Sequence, residues 1–345
     1  MSLTIGTSFE DQTQDFGIVN QSVYNKNYSS VNPSIRIRYR PKKGQWMFLR
    51  VRKSLNLPSL GQVSPVTNNF NPMYIREGNQ SLTPEKRYSL FAMYGNFDFV
   101  SGFNFFSHIS YTHTNNAIIN TETTDLATRV RTSSYVNLGN KENLNANINF
   151  GKRVKSLGIR YNLRLAGGFS NYQSVINGVD NKTNSKNASV RISLENNKKD
   201  NIDFSTGATF SKNFTSFSGA TTDRDYFQQT YYVKSDWNVT KVFNINSQFK
   251  YDVYTDSNFG TDQSVPIWNA SVSYSFMKDK RLNLKLSALD LLNKNIGFER
   301  SSTDNYYQET IKEVLGTYYM LSLTYTLNGN KGPKRKGRRG FRMRH

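Results

Sequence analysis

The sequence predicts an all-β chain, an antiparallel transmembrane β-barrel, and three observations carry that expectation. In Asn143-Leu144-Asn145-Ala146-Asn147-Ile148-Asn149-Phe150, every second residue is apolar and every residue between is asparagine. Successive side chains of a strand point to opposite faces, so this stretch has one greasy face and one hydrated face. Second, the hydrophobic fraction is only 36%, with a mean hydropathy of −0.65 and 14% aromatic residues. A water-soluble sandwich needs more Val, Ile and Leu at its centre, whereas a wide barrel has a wet interior and turns its apolar band outward to lipid. Third, short and long connectors alternate along the chain.

The two-residue period recurs throughout. Ile35, Ile37 and Tyr39 alternate with Arg36, Arg38 and Arg40; Leu163 and Leu165 enclose Arg164; Leu284 and Leu286 enclose Lys285. About fourteen strands emerge, near 2–10, 28–40, 45–54, 86–98, 103–115, 128–151, 157–170, 187–196, 202–213, 225–237, 242–255, 266–276, 282–290 and 315–327. Most run nine to fourteen residues, the span a tilted membrane strand needs. No apolar run approaches the ~18 residues of a membrane helix. The alternation is unbroken, so residues 1–328 read as one barrel unit and 329–345 as a basic, disordered tail.

Short, mostly basic connectors stand at 41–44, 152–156, 197–200, 238–241 and 278–281. Long ones rich in Asn, Ser, Thr and Gly stand at 11–27, 55–85, 116–127, 171–186, 214–224, 256–265 and 291–314. Outer-membrane barrels have short periplasmic turns and long external loops, which predicts extracellular loops and a periplasmic C-terminus. Trp237 before a short turn and Trp268 after a long loop share parity with apolar neighbours, as interfacial aromatic girdles require.

The formal charge is +20, but eight basic residues in the last fifteen positions contribute much of it, leaving +12 elsewhere. The remainder is spread over strand faces and turns and not along one helix or ribbon, so no nucleic-acid partner is expected. The tail could meet anionic lipid, peptidoglycan-associated partners or nothing. With no cysteines, disulfides and thiolate chemistry are excluded. The first residues lack an export signal, so either the chain is not exported alone or its beginning is missing.

No enzyme is predicted, because neither a Ser-His-Asp arrangement nor a phosphate loop stands out, and no cofactor is expected. His108 and His113 are five apart and face opposite sides of one strand, so no shared metal is expected. The acidic residues near the loops read as solubilising. The sharpest candidates are arginines on polar strand faces, expected to line the lumen: Arg36, Arg38, Arg40, Arg50, Arg52, Arg160 and Arg164. They could attract anionic solutes, hold a plug through its carboxylates, or simply be solvated.

Several segments resemble a known family. Asn56-Leu57-Pro58-Ser59, Asn71-Pro72 and the run Ile75-Arg76-Glu77-Gly78-Asn79-Gln80-Ser81-Leu82-Thr83-Pro84-Glu85 look like the barrel loop of TonB-dependent receptors. Asp290-Leu291-Leu292-Asn293 and Gly316-Thr317-Tyr318-Tyr319-Met320-Leu321-Ser322-Leu323-Thr324-Tyr325 resemble their closing strands, in the outer-membrane β-barrel group common in Bacteroidetes-type bacteria. In that motif Gly78, Asn79, Leu82, Pro84 and Glu85 are structural; Gly78 and Asn79 tolerate positive φ, and Pro84 holds Thr83 extended. Gly316, Tyr319, Leu321, Leu323 and Tyr325 resemble the terminal signal for membrane insertion.

The resemblance implies a nutrient-uptake receptor of which this chain is the C-terminal barrel portion, part of a roughly 22-stranded plugged barrel. The implied partners are membrane lipid, an N-terminal plug region absent from this chain, the energising inner-membrane complex reached through that region, a surface lipoprotein and an unspecified nutrient. The alternative is a self-contained outer-membrane channel or surface-binding barrel.

Overall fold

The computed structural model describes residues 1–18, 21–196, 201–219, 223–256, 262–277, 280–302 and 307–327. The basic tail lies outside them. In chain order the elements are β1 (Ser2–Ile18), β2 (Gln21–Tyr39), β3 (Gln45–Asn56), α1 (Leu60–Val63), β4 (Asn68–Asn71), β5 (Tyr74–Arg76), β6 (Glu85–Asp98) and β7 (Phe103–Asn115). Then come β8 (Ile118–Thr124), β9 (Arg131–Asn137), β10 (Asn140–Val154), β11 (Ile159–Ile176), β12 (Val179–Asn196), β13 (Ile202–Phe217) and β14 (Arg224–Asn238). The last are β15 (Phe243–Asp256), β16 (Gln263–Phe276), β17 (Leu282–Leu289), β18 (Phe298–Ser302), β19 (Tyr307–Ile311) and β20 (Tyr318–Tyr325).

Eighteen of these strands form one sheet, and β18–β19 form a separate hairpin. The expected fourteen strands are its frame: β1, β2, β3, β6, β7, β10 to β17 and β20 pair in that order, each antiparallel to the next. Among the described residues β1 pairs only with β2 and β20 only with β17, so the sheet has two free edges and the barrel is not closed.

Register joins the alternating faces of separate strands into continuous surfaces. One row reads Ile5, Ile35, Val51, Leu90, Tyr111, Leu144 and Phe169, each opposite the next. Further along, Ile245, Val272, Leu286 and Leu321 do the same. These side chains stay exposed or half-buried, from Ile5 at 72% and Leu321 at 68% on the edge strands to Leu90 at 36%, because the face they make meets lipid and not a second protein layer. A slip of one residue in any ladder would move that strand's greasy side chains onto the wet face, so the alternation itself fixes register.

Rings gather at both ends of the apolar face. Near the short turns Tyr94 lies 5.8 Å from Phe105, Phe103 lies 5.5 Å from Phe150, and Phe150 lies 5.7 Å from Tyr161. Trp237 stands at this end, opposite Ile202 and Ile245. Towards the long connectors, Phe210 meets Tyr231 at 5.9 Å and Trp268 donates to Ser247 Oγ at 3.0 Å. Such girdles match the amphipathic membrane interfaces.

Several boundaries differ from the sequence reading, for identifiable reasons. Residues 11–27 and 171–186 are largely strand and not loop: β1 and β2 continue as a ladder to Ile18 and Gln21, and β11 and β12 to Ile176 and Val179. Beyond the lipid zone both faces meet water, so the apolar period disappears while the ladder bonds persist. There Thr13 donates to Asn27 at 2.8 Å and Ser29 to Asp11 at 2.9 Å. Asn177 and Gly178 close the β11–β12 hairpin with φ of 50° and 77°. A two-residue turn with both φ positive matches strand twist, and Asn-Gly is its strongest signal.

The strand expected over 128–151 is two, β9 and β10, broken where Gly139 adopts φ 64°. The basic connector at 152–156 is partly strand, since β10 runs to Val154. The long connectors at 55–85 and 291–314 contain α1, β4 and β5, and β18–β19 respectively. No helix among the described residues is long and apolar enough to cross a membrane, which bears only on helices.

Candidate functional site

Two features lie on or over the polar face: an arginine-studded wall and a latched loop. Arg36 on β2 stands directly opposite Arg50 on β3, Arg52 stands opposite Ser34, and Arg38 opposite Phe48. Arg36 and Arg50 are thus direct neighbours in the sheet, with Arg38 two residues toward the turn at 40–44 and Arg52 two residues away from it. Like charges directly opposite one another destabilise a ladder, so this grouping needs a reason. Their other ladder neighbours, Ser2, Thr4, Phe91 and Ser89, carry no carboxylate. Among the described residues no ion pair neutralises any of the four.

Aromatic rings continue the same rows. Arg38 lies over the Phe48 ring at 5.8 Å, a cation–π distance. Phe48 meets Phe91 edge-on at 6.0 Å, Phe91 stacks with His108 at 6.3 Å, and His108 and Trp46 both contact Phe106, at 5.7 and 5.9 Å. Trp46 lies over Gly95, its cross-strand partner, where a Cβ would come within 2.4 Å of the indole. Trp46 therefore faces the polar wall, unlike Trp237 and Trp268.

The other expected arginines sit elsewhere and in different company. Arg160 on β11 is flanked by Arg153 and Glu195, and Glu195 also accepts from Asn162 at 3.1 Å. Arg164 lies between Asn149 and Arg191. With the Asn147 amide oxygen turned toward it, Arg164 donates through Nε at 2.9 Å and Nη2 at 3.2 Å, the orientation that satisfies both groups. Arg40 is one residue past the end of β2 and has no ladder partner. Further polar-face arginines escaped the sequence reading, among them Arg87 opposite Ser54, Arg153 opposite Arg160, and Arg191, whose Nε donates to Thr209 at 2.9 Å. The Val190-Arg191-Ile192 alternation was a readable signal for the last.

Above the wall, the segment between β3 and β6 folds onto the polar face of the β1–β2 hairpin. Gln14 donates to Pro58 O at 2.7 Å and Lys26 to Gln80 O at 2.8 Å. Val63 and Leu82 are fully buried against Tyr24, with Phe16, Ile118 and Tyr135 packed around them.

The family-like motif is the clasp of this loop. Asn79 donates to Tyr135 O at 2.8 Å and its Oδ1 accepts from Ser81 N at 2.9 Å, while its own N–H reaches Gln62 O at 2.6 Å. Asn137 accepts from Thr83 N at 2.8 Å and donates to Thr83 O at 2.9 Å. Glu85 accepts from Ile118 N at 2.8 Å and from Asn56 at 2.6 Å, and Pro84 O accepts from Asn116 at 3.3 Å. The expected left-handed backbone at Gly78 and Asn79 is absent. Gly78 is required for a different reason: a Cβ there would lie 2.2 Å from Ser64 O.

The clasped loop joins the β8–β9 hairpin through parallel β5–β9 pairing, and β8 in turn pairs with the end of β11. Glu122, nearly buried, ion-pairs with Arg131, which also lies 5.4 Å over the Tyr74 ring. At the hairpin tip, Asp125 Oδ1 accepts from Ala127 N at 2.8 Å and Thr128 N at 3.3 Å. Chiefly the Ala127 N–H holds this carboxyl below its usual range. A depressed folded pKa gives stability that is whole above the ordinary 3.8 and is lost as pH falls through the lower folded value. The protection factor of the Ala127 amide, its exchange measured against the intrinsic rate at the same pH, is therefore expected to stay constant from neutrality to about pH 5 and to fall below 3.8 more than that of Asn79, whose own N–H donates to the Gln62 backbone carbonyl.

At the far end, Asp290 holds the approach to β20. Its carboxylate accepts from Lys294 N at 3.2 Å and Asn295 N at 3.0 Å, and its carbonyl from Thr317 Oγ1 at 2.5 Å. Gly316 leaves room for Asn293, which accepts from Thr317 N at 3.2 Å. Tyr319, Leu321, Leu323 and Tyr325 then follow on one exposed face of the edge strand. His108 faces the polar wall, while His113 bonds Glu142 at 3.2 Å on the other face. Among the described residues no three His, Asp or Glu side chains gather as a metal site.

An antiparallel sheet of amphipathic strands with ringed, exposed apolar surface and a charged opposite face defines an outer-membrane β-barrel protein. The sequence matches the outer membrane protein beta-barrel family over residues 1–227, and the chain belongs to that family. No curated protein matches it. Among solved structures, the copper transporter OprC is 7% identical, with 83% of this chain aligned to 46% of that chain at a TM-score of 0.47. The siderophore receptor PiuA from Acinetobacter baumannii is 10% identical, covering 83% and 48% at a TM-score of 0.48. A Pseudomonas aeruginosa FadL homologue is 11% identical, covering 94% and 88% at a TM-score of 0.33. The chain thus spans about half the length of the first two, and at these scores none carries a functional argument.

Proposed function

We propose that the chain is the C-terminal barrel portion of a TonB-dependent nutrient receptor, with its loops outside the cell and its short turns in the periplasm. The observation that carries this reading is the clasp: every singled-out residue of the Gly78-to-Glu85 motif has a structural task, and together they hold a loop over the polar face. Two unpaired edges, β1 and β20, agree with it, since bare strand edges are costly in lipid and about eight further strands would complete a barrel of roughly 22. In this reading those strands, the plug and the segment that meets the energising complex belong to a region outside this chain. A surface lipoprotein is a further partner.

The test is an immunoblot of isolated outer membranes with an antibody against Lys331–His345, with and without boiling. A heat-shifting band at more than about twice the 39.6 kDa of this chain supports the receptor. One near 39.6 kDa favours a self-contained channel or surface-binding barrel, or a receptor split between two chains, and overturns a single longer chain.

A further inference from the structure

We infer that Arg36, Arg38, Arg50 and Arg52 form a subsite for a polyvalent oxyanion, a solute bearing clustered carboxylate or phosphate groups. The argument starts from the register. Arg36 and Arg50 are direct cross-strand partners, with Arg38 and Arg52 two residues along on the same face, one to either side. The arginines of β10 to β12 also stand in direct pairs, Arg153 with Arg160 and Arg164 with Arg191, but there polar partners sit beside each pair: Arg160 faces Glu195, Arg164 is bonded to Asn147, and Arg191 to Thr209. The quartet lacks any such acid among the described residues. Planar guanidinium forks match carboxylate and phosphate oxygens two at a time, so one bound oxyanion would relieve the repulsion and use several donors at once.

The aromatic rows beside the quartet sharpen the chemistry. Phe48 and Phe91 form a ring floor directly against Arg38 and Arg50, leaving an apolar shelf next to the charge. A ligand with an acidic end and a flat or apolar body fits this surface better than a bare halide. The inference deepens the transport reading and rests on it only in taking the polar face as the route of passage.

The test uses the full chain folded in detergent micelles, its β-sheet content confirmed by circular dichroism. Intrinsic tryptophan fluorescence is titrated with citrate and, separately, inorganic phosphate, at ionic strength held constant with sodium chloride. Trp46 supplies the signal, and W46F identifies its share. Saturable quenching is expected, with at least a tenfold weaker midpoint in R36Q/R50Q and an unchanged midpoint in R160Q. The conservative R50K retains charge but loses the fork, and an intermediate midpoint is expected. A response to citrate alone assigns carboxylate chemistry, and one to phosphate alone assigns phosphate. No saturable signal with either anion, or equal midpoints in wild type and R36Q/R50Q, overturns the subsite. Binding without nutrient uptake in cells would sink the transport reading and leave the subsite standing.

Discussion

Ile192→Arg is expected to destabilise the folded chain in phospholipid vesicles by about 2–4 kcal/mol, while Ser193→Arg costs under about 1 kcal/mol. The two residues are neighbours on β12 and differ only in face. Ile192 lies between Leu163 and Ala208 on the apolar surface, and Ser193 between Asn162 and Gly207 on the polar one. A guanidinium at the lipid face must be dragged from water into hydrocarbon or snorkel away, whereas the opposite face is wet already. The measurement is guanidinium-induced unfolding of vesicle-reconstituted protein at equilibrium. Equal costs at the two sites, or the larger at Ser193, would mean that the faces have been assigned the wrong way round.

The sequence carried this facial assignment because lipid on one side and water on the other writes a period of two into every membrane-crossing segment. Fourteen strands were countable for that reason, down to the polar asparagines of β10. Where the chain leaves the lipid, the environment becomes wet on both sides and the writing stops. Residues such as Thr13 and Asn27 sit in a regular ladder yet give no hydrophobic signal. Only turn chemistry remained legible there, and Asn177-Gly178 was such a mark. The wall arginines were readable from parity, but their grouping was not. Nothing in the spacing of Arg36 and Arg50 says that they stand opposite one another; that depends on the turn at 40–44 and the register it imposes. Likewise the motif around Gly78 was recognisable as a pattern, but its reason lay in the approach of Ser64, fourteen residues away in sequence.

That approach makes Gly78→Ala the second consequential change. An alanine Cβ would fall 2.2 Å from Ser64 O, 2.7 Å from Ser64 N and 3.0 Å from Gln62 O, all backbone atoms that no rotamer change can move. Something must shift. The nearest candidate is the turn carrying Gln62, whose carbonyl accepts the Asn79 N–H and whose side chain caps Ser59. Moving it loosens the Asn79 clasp and withdraws Val63 and Leu82 from their seat against Tyr24. Overpacking of this kind costs about 1–3 kcal/mol, and the lost burial of a leucine is of similar size. Of the barrel strands only the outer ends of β1 and β2, at Phe16 and Tyr24, share in those contacts, and their ladder pairing does not depend on the loop, so the damage is expected to stay in the loop. Limited trypsin digestion of the folded protein should cleave after Arg76 about tenfold to a hundredfold faster in the variant, with the β-sheet circular dichroism unchanged. An Asn137→Ala change, which removes the four bonds its side chain makes to Thr83 N, Thr83 Oγ1, Thr83 O and Asn116 O without any clash, should open the same loop. If both variants leave Arg76 as protected as in the parent, the loop is held by burial around Leu82 alone and the clasp is incidental.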